Sequence, residues 1–136
     1  MAHFSQVSED SILDSRGREL ERSGRWRLSE PQIWLVDWLA EREFDSRCEY
    51  IFCPPRKWRF DVAVPSPVVR GRTQAGWAFE IEGGAWNHGR HTRGKGFIAD
   101  MMKYNTAASL GWKVFRWTPQ QVLRGEAAKW IEENLL

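Results

Sequence analysis

Residues Lys57 to Glu82 read KWRFDVAVPSPVVRGRTQAGWAFEIE, and their alternation places three carboxylates on two neighbouring strands. In the first run Trp58, Phe60, Val62 and Val64 alternate with Arg59, Asp61 and Ala63, the period of a strand with one apolar face, so Asp61 points away from that core. In the second run Trp77, Phe79 and Ile81 alternate with Ala78, Glu80 and Glu82, so Glu80 and Glu82 share a face, about 6–7 Å apart along the strand. If the runs pair, Asp61 joins them. Carboxylates gathered on a partly buried sheet face repel one another and resist desolvation unless a cation neutralises them. A hard divalent ion answers that need. Mg²⁺, with Mn²⁺ as a substitute, takes oxygen ligands at about 2.0–2.1 Å from one or two carboxylates, waters and substrate phosphate, and the candidate ligands are Asp61, Glu80 and Glu82.

Upstream, Ser29 is a good N-cap, with Pro31 in the first turn and Gln32 completing a capping-box pattern. A helix is expected from about Glu30 to Glu43, its apolar stripe of Ile33, Val36 and Ala40 widened by Leu35, Trp38 and Leu39. Cys48 to Phe52 reads as a strand, and Pro54-Pro55 bends the chain into the strand of Asp61, giving an antiparallel meander. Pro65 to Gly76 is a loop, and Gly83-Gly84 ends the strand of Glu80. The glycine-rich, basic stretch Ala85 to Gly96 then forms a loop directly after the carboxylates. Phe97, Met101, Tyr104 and Ala108 recur at helical spacing, with Asp100, Lys103 and Ala107 on another face. Gly111 caps that helix, Trp112 to Trp117 is a fourth strand, and Pro119 opens a final amphipathic helix. The order α-β-β-β-α-β-α predicts an α/β fold, a mixed sheet of about four strands flanked by helices, because strand-helix-strand crossovers pack as parallel pairs.

At 136 residues, the chain is long enough for one domain and too short for two. We divide it into a polar arm over 1–24, carrying at most a short helix, and a domain over 25–136. No apolar run approaches the roughly 18–20 residues of a membrane span, and the start MAHFSQVSEDS lacks the regions of a signal peptide, so a cytoplasmic protein is expected. Cys48 and Cys53 read as two thiols, and their spacing does not suit zinc. The net charge of +2 says little, but its distribution says more. Arg56, Lys57 and Arg59 flank Asp61, and Arg90, Arg93 and Lys95 follow Glu82, a phosphate-seeking arrangement whose plain alternative is solvated surface charge. Candidate DNA contacts are Arg59, Arg90, Arg93 and Lys95.

A helix with an early Glu, then R-F-D, then F-E-I-E, then a helix and G-W-K-V-F-R-W resembles the PD-(D/E)xK superfamily, the restriction-endonuclease-like fold. The likeness runs from about Ser29 to Thr118, and E-I-E-G-G with His91, Asp100 and Lys103 is similar to small very-short-patch-repair-like and phage resolvase-type nucleases. The resemblance implies that Asp61 and Glu80 bind the metal and that Glu30 assists, where the residues alone give Glu30 a helix-dipole role. The superfamily's lysine, two residues after the Glu, is here Glu82. Either Glu82 serves as base or extra ligand, or a cation has moved into the role, with Lys103, His91 and Lys95 as candidates and Lys103 favoured. The ordinary alternatives are a surface pair of Lys103 with Asp100 and a solvated His91.

The function so implied is a Mg²⁺-dependent DNA endonuclease, with branched or junction DNA as candidate substrate. Its competitor is a catalytically silent DNA-binding module of the same fold, favoured by Glu82 in the lysine position. A structural or partner-binding protein is the third reading. It draws on nine tryptophans, more than a core of this size readily hides, and the same surplus suggests a homodimer.

Overall fold

The computed structural model describes residues 11–13, 19–21, 28–83 and 94–136, of which 11–13, 19–21, 94 and 95 are described as backbone alone. The expected α/β architecture is present. A four-stranded sheet runs in the order β3 (Arg47–Ile51), β4 (Arg59–Val64), β7 (Trp77–Ile81), β8 (Lys113–Trp117). β3, β4 and β7 form an antiparallel meander, while β8 joins β7 in parallel through the crossover helix α2 (Gly94–Ser109). The other helices are α1 (Glu30–Glu41), α3 (Pro119–Leu123) and α4 (Glu126–Leu135). The final helix expected as one piece is divided because Gly125 adopts φ 78°, a left-handed conformation that ends one helix and starts the next. Two small hairpins accompany the sheet. One lies in the predicted arm, β1 (Ser11–Leu13) with β2 (Glu19–Glu21), where at most a short helix is expected. The other, β5 (Val68–Val69) with β6 (Arg72–Thr73), occupies the predicted loop and turns through Arg70 and Gly71, both at positive φ.

The sheet has two unequal faces. On the thicker side Leu35, Val36 and Leu39 of α1, Val122 of α3 and Ile131 of α4 close over Val62, Val64, Trp77 and Phe79, all fully or almost fully buried. Each such side chain contributes about 1.5–3 kcal/mol relative to exposure. On the thinner side Ala63 and Ala78 are small enough for α2 to seat Ala107 against the sheet. Around them Phe52 stacks on Phe60 at 4.1 Å between ring centroids, and Trp112 meets Phe60 edge-on at 5.0 Å.

Two expectations about faces are corrected. Trp58 and Phe60 belong to the thinner cluster, not to the face of Val62 and Val64. The alternation breaks at Asp61, where the Glu49–Asp61 rung is missing from the β3–β4 register and Glu49 has φ 49°. In α2 the expected inward stripe of Phe97, Met101, Tyr104 and Ala108 is divided, with only Tyr104 turned to the sheet. Phe97 and Met101 are 41% and 47% exposed, whereas Lys103, Tyr104 and Ala107 face the sheet.

The approach of Trp112 depends on a residue without a side chain. A Cβ on Gly76 would lie 2.5 Å from Trp112 Cζ3, inside contact distance. Gly76→Ala should therefore displace the indole from Phe60 and Phe52 and lower stability by about 1–3 kcal/mol, measured by denaturant unfolding. An unchanged midpoint would show that the ring yields freely.

Candidate active site

The β4–β7 ladder pairs Val64 with Trp77, Ala63 with Ala78 and Val62 with Phe79, and stops there. At the next position carboxylates replace ladder bonds. The Asp61 N–H donates to Glu80 Oε2 at 3.0 Å, and the Ile81 N–H donates to Asp61 Oδ2 at 2.7 Å. Each strand thus satisfies a backbone donor with the other's side chain, which fixes both carboxylates through main chain rather than through rotamer preference alone.

Glu80 is 4% exposed, and its other oxygen is met from α2. Lys103 Nζ ion-pairs with Oε1, and the Tyr104 hydroxyl donates to the same atom at 3.0 Å. Burial and the Glu80 charge push the Tyr104 phenol up, so it is a proton donor here and not a base. Arg116, which is opposite Glu80 in the parallel register, lays its guanidinium over the Tyr104 ring at 4.1 Å and ion-pairs with Glu82 at 2.8 Å.

From the opposite side Gln32 reaches in. Its Oε1 accepts from the Ser29 N–H at 2.9 Å, closing the predicted capping box, while its Nε2 donates to the Asp61 carbonyl at 3.0 Å and to Glu49 Oε2 at 3.2 Å. Burial, followed by the neighbouring Glu80 charge, raises the Asp61 carboxyl to about 7 despite the Ile81 N–H. Burial also raises Glu49, against the opposing Gln32 hydrogen bond.

Of the predicted site residues, the structure brings together Asp61, Glu80 and Lys103. Glu82 lies past the end of β7 with Arg116, its side chain 40% exposed. Glu30 is exposed in the first turn of α1. Arg59 opens β4, half-buried, and its charge acts on Glu49. His91, Arg90 and Arg93 lie outside the described residues, and Lys95 is described only as backbone of α2. Gln32, Glu49, Tyr104 and Arg116 were not anticipated as site residues. Glu49 carried a signal, a lone acid between Cys48 and Tyr50 in an otherwise apolar strand. Tyr104 carried the opposite signal, as an apparent member of an apolar helix stripe.

Among the described residues no group of three or more His, Cys, Asp or Glu is gathered as a ligand set. The donor chemistry at Asp61 and Glu80 still fits a hard divalent ion. Two adjoining carboxylates, one of them held protonated to near neutrality, are what a cation would relieve, and Mg²⁺ needs no more than two from protein. The buried Cys48 thiol, pushed up by burial, does not offer thiolate chemistry.

The raised Asp61 predicts a pH signature. The folded chain retains a proton that the unfolded chain loses near pH 4, so stability falls as pH rises from about 4 to about 7. Asp61→Asn keeps an acceptor for Ile81 and removes that penalty. In metal-free buffer its stability advantage should open across this window, reach on the order of 1–4 kcal/mol and then stay constant. Parallel stability curves for parent and variant would contradict it.

No family model matches this chain, and neither a curated protein nor a solved structure is similar to it.

Proposed function

We propose that the protein is a metal-dependent endonuclease acting on DNA, with Asp61 and Glu80 as the residues that would hold Mg²⁺ or Mn²⁺. The observation that supports this most is the position of Lys103. Glu82 stands where the superfamily's lysine is expected, and a lysine from α2 instead approaches Glu80 through space. When bound, the ion supplies Lewis-acid polarisation of the scissile phosphate and a water of lowered pKa. Asp61 and Glu80 are held by each other's strand and so are preorganised for binding. Lys103 carries a charge, 15% exposed, suited to orienting an attacking water or offsetting charge on the phosphate. Tyr104 and Arg116 hold Glu80 and Glu82 in place.

DNA is the partner favoured by the basic residues around the acids, contacts suited to phosphates rather than to reading bases. We extend the reading to branched DNA cut by a homodimer, since symmetric cleavage of two strands calls for two sites. No helix among the described residues is long and apolar enough to cross a membrane.

A silent DNA-binding module is the second reading. It is favoured by the engagement of Glu80, whose two oxygens already serve Lys103, Tyr104 and the Asp61 N–H. One experiment separates the two. The parent, Asp61→Ala and Lys103→Met are incubated with duplex and four-way-junction DNA in Mg²⁺ and in Mn²⁺. The nuclease reading expects cleavage by the parent, preferentially of the junction, none by Asp61→Ala, and a loss of about 10²-fold or more for Lys103→Met. Binding should persist in Asp61→Ala, which removes a negative charge. Binding without cleavage by the parent would leave the silent module.

A further inference from the structure

The helix that delivers Lys103 and Tyr104 to the sheet has its apolar residues on the wrong side for a solvated helix. Between Gly96 and Leu110 the charged residues of α2, Asp100 and Lys103, are half-buried on the sheet side with Tyr104. The solvent side carries no charge there. Phe97, Ile98 and Met101 are 41%, 62% and 47% exposed, and Asn105, Ala108 and Ser109 continue the same face. An uncharged apolar face of this kind is what a partner surface covers. The described tryptophans do not supply an alternative. Among the described ones only Trp130 is exposed, at 37%, and it packs on Phe115 and Trp117.

The distribution of size along the face identifies the occupant. Along this face the bulky side chains come first, Phe97, Ile98 and Met101 with Met102 beside them at 51% exposed, and the smaller Asn105, Ala108 and Ser109 follow. A two-fold axis level with Lys103 but on the face of α2 away from its side chain would run two copies antiparallel and set Phe97 against Ser109, Ile98 against Ala108 and Met101 against Asn105, since each pair sums to 206, twice 103. Bulk then meets space in every pair, with no charge to desolvate.

We infer that this face of α2 is the surface on which a second copy of the chain docks, antiparallel and isologous. It names the surface for the homodimer proposed above, and it stands without any DNA cleavage. Lys103 lies on the opposite side of α2 and Tyr104 turns its hydroxyl to the sheet, so the candidate sites of a dimer stay uncovered. From Phe97 to Ser109 the face is about 18 Å long and one helix wide. One helix face is a small interface, so the dimer is expected to be reversible.

Sedimentation equilibrium of the full chain, without nucleic acid, tests this. The expected mass rises with concentration from 15.9 kDa towards twice that value. Ile98→Glu with Met101→Glu, at exposed positions, should remain at 15.9 kDa with an unchanged far-UV spectrum. The register is tested by oxidation in a Cys53→Ser background. Ile98→Cys with Ala108→Cys should form a covalent dimer, whereas Ile98→Cys alone should not. Across the axis its two copies lie about 15 Å apart along the helices, beyond disulfide reach. A parent that is monomeric at every concentration, a dimer that survives the glutamates, or cross-linking by Ile98→Cys alone would each overturn the proposal.

Discussion

The candidate site exists because β4 and β7 stop pairing one rung before Asp61 and Glu80 would face each other. A continued ladder would have satisfied the backbone with backbone and left both side chains free to turn into solvent. Instead each carboxylate accepts an N–H from the other strand. The exchange keeps the sheet closed and holds two acids in a buried position, where like charges oppose one another. The ammonium of Lys103 and the hydroxyl of Tyr104 compensate for that opposition, while the nearby Glu49 adds to it.

The inequality of the two sheet faces follows from the same demand. Trp77 and Phe79 point to the side closed by α1, α3 and α4 and carry most of the apolar burial. Ala63 and Ala78 keep the other side shallow, so that α2 lies close enough for Lys103 to reach Glu80. A buried ion pair of this sort adds little net stability, but removing one partner strands the other. The seat of α2 therefore rests on aromatic packing beneath Trp112 and on a polar contact whose members are needed together.

Much of this was readable from residue order. The capping box at Ser29 and Gln32, the meander and the parallel return of β8 follow from local patterns, each with a short-range cause. Two features were not. The face of Phe60 depends on the rung missing between Glu49 and Asp61 in an otherwise continuous β3–β4 register, and no period-2 count contains the positive φ of Glu49. The face of α2 is hidden in the sequence because Phe97, Met101, Tyr104 and Ala108 recur at helical spacing as a core stripe would. Periodicity identifies an apolar face and does not say what covers it. Lys103 could be singled out because the lysine position beside Glu80 held Glu82, whereas Gln32 was absorbed by its capping role.

That double use of Gln32 makes the rigidity of the site a property of a helix end. Its amide oxygen secures the first turn of α1, and its nitrogen secures Glu49 and the Asp61 carbonyl. Helix ends fray more readily than sheets open, so the first turn of α1 and the unpaired rung of β3 and β4 at Glu49 and Asp61 belong to one cooperative unit. When that turn unwinds, the backbone beside Asp61 loses a partner although no residue of the sheet has moved. Amide exchange at Ile33, whose N–H is bonded to the Ser29 carbonyl, is therefore a remote reporter of order around the carboxylates.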